Sequence, residues 1–203
     1  MWLSGLKKSL QAAGFDYINL DEISLTALSN SNEFLRRVKQ NLQQTFSRNL
    51  LQSINDSVAN PMMRTYKLFK LSHTMEPYIL LSNKSLVTHI SRFRTGSHNL
   101  RIHTGRYEIP GGLHINDRTC IFCSSKEIDD EYHFITSCQF HLTERDLLYT
   151  KVGAVIPRFM SKSSSEKFIF LNQSDSRDVI SSLGKYLESC VRNRQKTAAL
   201  RQA

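Results

Sequence analysis

The chain has 203 residues, of which 40% are hydrophobic and 22% are charged. This length accommodates one domain of ordinary size or two small ones, and the hydrophobic content excludes wholesale disorder. Lysine and arginine outnumber aspartate and glutamate by 27 to 18, which gives a formal net charge of +9 and favours a polyanionic partner. Residues 62–106 carry eight bases and one acid, whereas residues 107–150 carry three bases and eight acids.

The sequence also bears on the compartment. No apolar run is long enough to cross a bilayer, and residues 1–14 lack the apolar core of a signal peptide. We therefore expect a cytoplasmic or nuclear protein that is not secreted and does not bind a membrane. Thiols stay reduced in these compartments, so the four cysteines favour a metal site over disulfides.

Apolar residues at helical spacing predict helical segments at 2–10, 34–54, 86–93 and 179–191. Gly14 is the expected stop of the first segment. In the second, an apolar residue recurs every four positions: Phe34, Val38, Leu42, Phe46, Leu50 and Ile54.

The C-terminal part carries helix-start signals. Ser163 and Glu166 have the spacing of a capping box, and Asp175 is the expected cap of the last helix. On that helix we expect an inward face and a solvent face. The inward residues are Leu183, Leu187 and Cys190, and the exposed ones Arg192, Arg194 and Lys196.

The sequence therefore predicts a mainly α fold with a small CCHC zinc knuckle, in which a short β-hairpin near Thr119–Phe122 is allowed. We divide the chain into a helical, basic region at 1–113, the knuckle at 114–142 and a helical tail at 143–203. The knuckle has too few apolar residues for its own core, so we expect Ile121, Phe122 and Phe134 to lean on neighbouring helices.

The knuckle prediction rests on four residues. Cys120 and Cys123 form a Cys-x2-Cys pair, nine residues separate Cys123 from His133, and four more lead to Cys138. Three thiolates and one imidazole favour tetrahedral Zn2+, and four protein ligands leave no position for a reactive water. We predict one structural Zn2+ at this site. His141 is the alternative ligand, in place of His133 or Cys138.

Four acidic residues precede His133, namely Glu127, Asp129, Asp130 and Glu131. We interpret them as a solvated acidic face, with one of them accepting a hydrogen bond from the second imidazole nitrogen of His133.

Residues 91–106 form the most basic segment. Interleaved cations and rings suit unpaired nucleic acid, because guanidinium groups pair with phosphates and rings stack on bases. The expected phosphate contacts are Lys67, Lys70, Arg92, Arg94, Arg101 and Arg106. The expected stacking residues are His98, His103 and Tyr107.

The run from Cys120 to Cys138, with Glu131-Tyr132-His133-Phe134 before the last cysteine, resembles the zinc-knuckle tail of LINE-type (non-LTR) retrotransposon reverse transcriptases. Segments 64–70, 93–94, 96–102 and 105–107 look like the helical region that leads into that knuckle. The resemblance covers about residues 1–150. It implies zinc at the same four residues, nucleic-acid binding and a protein partner derived from the element.

The chain departs from that family in what it lacks. The polymerase motif, an aromatic residue followed by x-Asp-Asp, does not occur, because Asp129-Asp130 follow Ile128. Nor do residues 139–203 carry a nuclease motif. The chain looks like a detached C-terminal tail, and no grouping of side chains indicates an enzyme. We therefore expect a module that binds RNA or single-stranded nucleic acid, with a non-catalytic protein-interaction or structural tail as the alternative.

Overall fold

The computed structural model describes residues 8, 11, 31–56, 59–72, 74–108 and 110–202. The chain divides into two compact units, Met1–Ser53 and Ile54–Ala203. Within the described ranges the fold is mainly α-helical, as predicted. The α-helices are α1 (Ser31–Asn55), α2 (Lys84–Arg94), α3 (Arg101–Thr104), α4 (Glu131–Thr136), α5 (Leu142–Val155), α6 (Ser164–Gln173) and α7 (Arg177–Gln202).

Short 3-10 helices connect these elements. They span Pro61–Arg64, Tyr66–Leu68, Pro77–Leu80, Ile115–Asp117, Gln139–His141 and Pro157–Phe159. No helix in the described ranges combines the length and apolarity that a membrane crossing needs.

In the first unit, the main element that the structure describes is α1. The helix predicted at 34–54 is confirmed, but Leu42 and Phe46 of its apolar stripe are 49% and 61% exposed. The helix predicted at 2–10, with its stop at Gly14, lies outside the described residues apart from Lys8.

In the second unit α7 is the central element. It packs against both α2 and α5, and α6 packs against α4. Leu183, Leu187 and Cys190 are buried on α7, as predicted, because apolar residues at this spacing share one helix face. Gly184 lets α2 approach closely, since a Cβ there would stand 3.0 Å from Leu86 Cβ.

Side-chain caps set the starts of several helices. Asn83 accepts hydrogen bonds from two amides at the start of α2. Ser163 and Glu166 form the predicted capping box of α6. The prediction for Asp175 is not met, because α7 begins at Arg177.

The predicted hairpin is reduced to one antiparallel bridge between Thr119 and Ile128. Phe134 is buried as predicted, but Ile121 is 52% exposed, so its predicted packing is wrong. The boundary between the two compact units falls between Ser53 and Ile54. The knuckle shares the core of the second unit because Phe134 and Ile135 pack among the helices.

The close approach of α2 and α7 gives a test. Replacing Gly184 by Val should lower the free energy of unfolding by about 1–3 kcal/mol, because overpacking forces the two helices apart. Replacing its exposed neighbour Lys185 by Val should change that free energy by about 0.5 kcal/mol or less. Urea denaturation measures both, and equal stability of the two variants would contradict the packing described.

Candidate metal centre and basic surface

Local hydrogen bonds bring the four predicted ligands together. The Cys120 amide donates to the Glu127 carbonyl at 2.9 Å, which folds the Cys-x2-Cys turn back beside the segment that leads into α4. Asp130 caps α4 by accepting from the His133 amide, and that helix carries His133. The Cys138 amide then donates to the His133 carbonyl at 2.9 Å, which brings the last cysteine close to the helical turn that carries His133.

The ligand atoms of Cys120, Cys123, His133 and Cys138 all lie within 4.8 Å of one another. Cys120 Sγ is 3.9 Å from Cys138 Sγ, and Cys123 Sγ is 3.4 Å from His133 Nε2. Metal–sulfur bonds of about 2.3 Å and metal–nitrogen bonds of about 2.0 Å in a tetrahedron place these atoms roughly 3.5–3.8 Å apart. The four residues can therefore hold one metal ion, and all four cysteines of the chain are free.

The protonation of these groups is strongly coupled. The hydrogen bond with Cys138, together with burial, raises the pKa of Cys120 to about 12. Burial opposes protonation of His133, but hydrogen bonds to Cys120 and Glu127 outweigh it and raise the imidazole pKa to about 9. A bound cation would therefore displace protons from this cluster, because it takes deprotonated thiols and a neutral imidazole as ligands.

Glu127 fixes the orientation of the histidine. Its Oε2 lies 2.5 Å from His133 Nδ1, and Ser137 Oγ donates to the same oxygen at 2.6 Å. With Nδ1 engaged, Nε2 faces the thiols. This arrangement matches the expectation that an acidic residue accepts from the second ring nitrogen.

The interpretation of the acidic run as a solvated face is wrong at two positions. Asp129 is 1% exposed and Glu131 is 3% exposed. Asp129 accepts two hydrogen bonds of 2.9 Å from the guanidinium of Arg194. Glu131 binds Arg64 at 2.5 Å and His98 at 2.9 Å. Buried carboxylates require such partners, so these acids belong to the interior.

The prediction that Arg194 is exposed is also wrong. Its side chain is 8% exposed, and its guanidinium lies 4.7 Å from the ring centroids of both Phe122 and Phe134. A sequence signal existed, because Arg194 follows Cys190 by four residues and Leu187 by seven, which places it on the apolar face of α7. Arg192 and Lys196 are exposed as predicted.

His141 lies outside the four-residue cluster and groups instead with Glu144 and Cys190. Its Nε2 accepts from Arg194 Nε at 2.9 Å. Burial and the charge of Arg194 lower the pKa of His141 to about 3. The single ring proton therefore sits on Nδ1, which leaves no free lone pair for a metal. The geometry favours His133 over His141 as the ligand.

Two of the cations predicted to contact phosphates are buried, so the prediction is wrong for them. Lys70 and Arg94 both pair with Glu76, at 2.8 Å and 2.9 Å. Arg94 also donates to the Asn172 carbonyl and lies 4.7 Å from the centre of the Phe69 ring. These contacts hold the 3-10 segments against α2 and α6, and neither cation faces solvent.

Two more of the residues predicted to bind nucleic acid are engaged within the chain. Arg101 binds Glu108 through two hydrogen bonds of 2.6 Å and 2.9 Å and donates to the Thr119 carbonyl. His98 is held by Glu131. The side chains of Arg101 and His98 are therefore engaged in contacts within the chain, where they orient loops around the knuckle.

The remaining candidates face solvent in varying degree. Arg92 is exposed, Tyr107 is 75% exposed, and Lys67, His103 and Arg106 are partly exposed. The His103 ring lies edge-on between two others, 6.5 Å from His98 and 5.9 Å from Tyr107. Arg64, which the sequence patterns did not single out, lines one small pocket together with His98, His103 and Arg106. We call Arg64, His103, Arg106 and Tyr107 the Arg106 surface.

Comparisons with protein-family models, with curated proteins and with solved structures find no significant match to this chain. What the site does is therefore inferred from its own chemistry.

Two neighbouring arginines give a matched test of these placements. Replacing Arg94 by Ala should lower the free energy of unfolding by about 3 kcal/mol or more, because it leaves the Glu76 carboxylate, which is only 12% exposed, without one of its cations. Replacing the exposed Arg92 by Ala should change that free energy by about 0.5 kcal/mol or less. Thermal and urea denaturation report both, and equal effects would mean that Arg94 is not buried as described.

Proposed function

We propose that this chain is a nucleic-acid-binding module stabilised by one structural Zn2+ and without catalytic activity. The observation that carries the metal assignment is the donor set: three thiols and one imidazole whose ligand atoms lie within 4.8 Å of one another. Soft sulfur ligands in four-coordinate geometry favour Zn2+ over the hard cations, which prefer oxygen. Cys120, Cys123, His133 and Cys138 would hold the ion.

When bound, zinc would supply the cross-link between the Cys-x2-Cys turn and α4. The chain's own residues prepare that link. Only one antiparallel bridge joins the two sides of this loop, and the carboxylate of Glu127 already orients the His133 ring. A loop with so little regular structure depends on such a link for its order.

The nucleic-acid part of the proposal rests on the Arg106 surface. Arg106 lies beside His103 and Arg64, and the Tyr107 ring stands beside His103 with 75% of its surface open to solvent. Exposed rings next to guanidinium groups suit a single strand, because bases stack on the rings while phosphates pair with the cations. RNA or single-stranded DNA is the partner that this arrangement favours.

A relationship to LINE-type reverse transcriptase tails stays a prediction. It is supported by the spacing of the four ligands and by the mainly helical surroundings. The protein-interaction alternative loses one of its supports, because the apolar stripe at 179–191 packs in the core of the second unit.

The metal proposal is tested by cysteine substitution. The purified wild-type chain should hold about one zinc ion, and Cys123→Ser should lose it, because a hydroxyl is a poor zinc ligand. Cys190→Ala is the control, since Cys190 lies outside the four-residue cluster, in a second group with His141 and Glu144, and zinc held by the four-residue cluster should be unaffected by its loss. Elemental analysis of the three proteins measures the ratio. Zinc retained by Cys123→Ser would show the ligand set to be wrong.

Binding across a salt series tests the nucleic-acid proposal. The double variant Arg92→Gln, Arg106→Gln should bind a 20-nucleotide single strand more weakly and reduce the salt slope by about one unit for each phosphate that the variant no longer binds. The control is Lys151→Gln, Arg158→Gln, which removes the same charge from exposed positions elsewhere. Equal weakening in both doubles would mean that net charge, and not the positions of Arg92 and Arg106, determines binding.

A further inference from the structure

The end of α7 reaches into the candidate metal centre. Arg194 Nη2 lies 3.7 Å from Cys120 Sγ and 3.9 Å from Cys138 Sγ. These are N–H donors directed at two of the sulfur atoms that would ligate the ion. Within the described residues, no other lysine or arginine side chain makes a hydrogen bond to these sulfurs.

Several side chains hold the guanidinium of Arg194 in place. Asp129 accepts from Nη1 and Nη2, and His141 accepts from Nε. The rings of Phe122 and Phe134 also pack against it, each with its centroid 4.7 Å away. A planar guanidinium held by these contacts keeps its orientation, whereas the ammonium of a flexible lysine would not.

Charge gives this contact a specific consequence. A divalent ion with three thiolates and a neutral imidazole carries one net negative charge, and Cys120 and Cys138 are 5% and 0% exposed. Buried thiolates need compensation, since water cannot solvate them. Charge-assisted hydrogen bonds from Arg194 to the two sulfurs would offset the negative charge of the metal-bound cluster, and so would stabilise the metal-bound state.

A second arginine strengthens the same contact. Arg201 follows Arg194 by seven residues and so lies on the same face of α7. Its Nη1 donates to the Ile121 carbonyl at 3.1 Å, and its guanidinium lies 5.5 Å from the centre of the Phe122 ring. Both arginines thus hold the Cys-x2-Cys turn from one side.

We propose that Arg194 is a positioning residue for the metal centre, and that metal binding and the docking of the last turns of α7 stabilise each other. The inference rests on the proposed zinc site and goes beyond it, because it makes the site depend on Arg194, which lies 56 residues beyond the last ligand in the sequence. Reciprocity follows from thermodynamic linkage: the factor by which α7 docking raises metal affinity equals the factor by which the metal stabilises docking.

The test uses the full chain and Zn2+ as the probe. Chelator competition gives the zinc affinity of wild type, Arg194→Gln and the control Arg192→Gln, which removes the same charge from an exposed position on the same helix. Removing an outer-shell partner should weaken affinity about 10- to 100-fold in Arg194→Gln. Arg192→Gln should match the wild type.

Two further measurements separate positioning from simple destabilisation. The thiolate-to-metal charge-transfer band of the Co2+-substituted protein should shift in Arg194→Gln, because hydrogen bonds to sulfur alter the energy of its electrons. Amide exchange in residues 190–202 should slow on zinc addition in wild type and respond less in the variant. Equal zinc affinity and an unshifted band in Arg194→Gln would overturn the proposal.

The outcomes also separate this inference from the zinc proposal. A wild-type chain that binds no zinc overturns the metal site itself. Should Arg194→Gln fail to fold, the comparison moves to Arg201→Gln, whose side chain is exposed. That variant should then show weaker zinc affinity than Arg192→Gln, and equal affinities would overturn the inference.

Discussion

A carboxylate that is 1% exposed needs a cation and several donors around it, and Asp129 obtains them from segments far apart in the chain. One oxygen accepts from the Arg101 amide at the start of α3, and both accept from Arg194 near the end of α7. Its carbonyl accepts from the Ile102 amide. This single residue therefore joins the basic segment, the knuckle and the C-terminal helix, and the position of the thiols depends on it.

The burial of charged pairs also explains why the net positive charge of the chain overstates the positive charge of its surface. The net charge of +9 suggests many cations available to a polyanion. Lys70, Arg94 and Arg194 are instead buried beside Glu76 and Asp129. Removing one member of such a set leaves an uncompensated charge in the interior, so these cations govern stability. The number of cations that face solvent is correspondingly smaller than the sequence indicates.

Much of the local structure could be predicted, because it depends on neighbours in sequence. The helices over 34–54, 86–93 and 179–191, the capping box at Ser163 and the gathering of Cys120, Cys123, His133 and Cys138 all follow from spacings of a few residues. Helical periodicity and metal-ligand spacing are short-range patterns. The acidic run could not be predicted in the same way, because hydrophilic residues are usually solvated, and nothing nearby in sequence reveals the buried partners of Asp129 and Glu131.

Short-range patterns were enough to predict the helical class, the capping box of α6 and the four residues that can hold a metal, because each depends on spacings within one continuous segment of the chain. Only the tertiary structure decided which cations face solvent and which are enclosed. It also decided that the thiols of the knuckle meet Arg194. The partners of a buried charge are chosen by how helices pack, and Asp129 is 65 residues from Arg194 along the chain. Helical periodicity places Arg194 on the apolar face of α7, but it does not reveal Asp129 as the partner, so packing alone brings the two together.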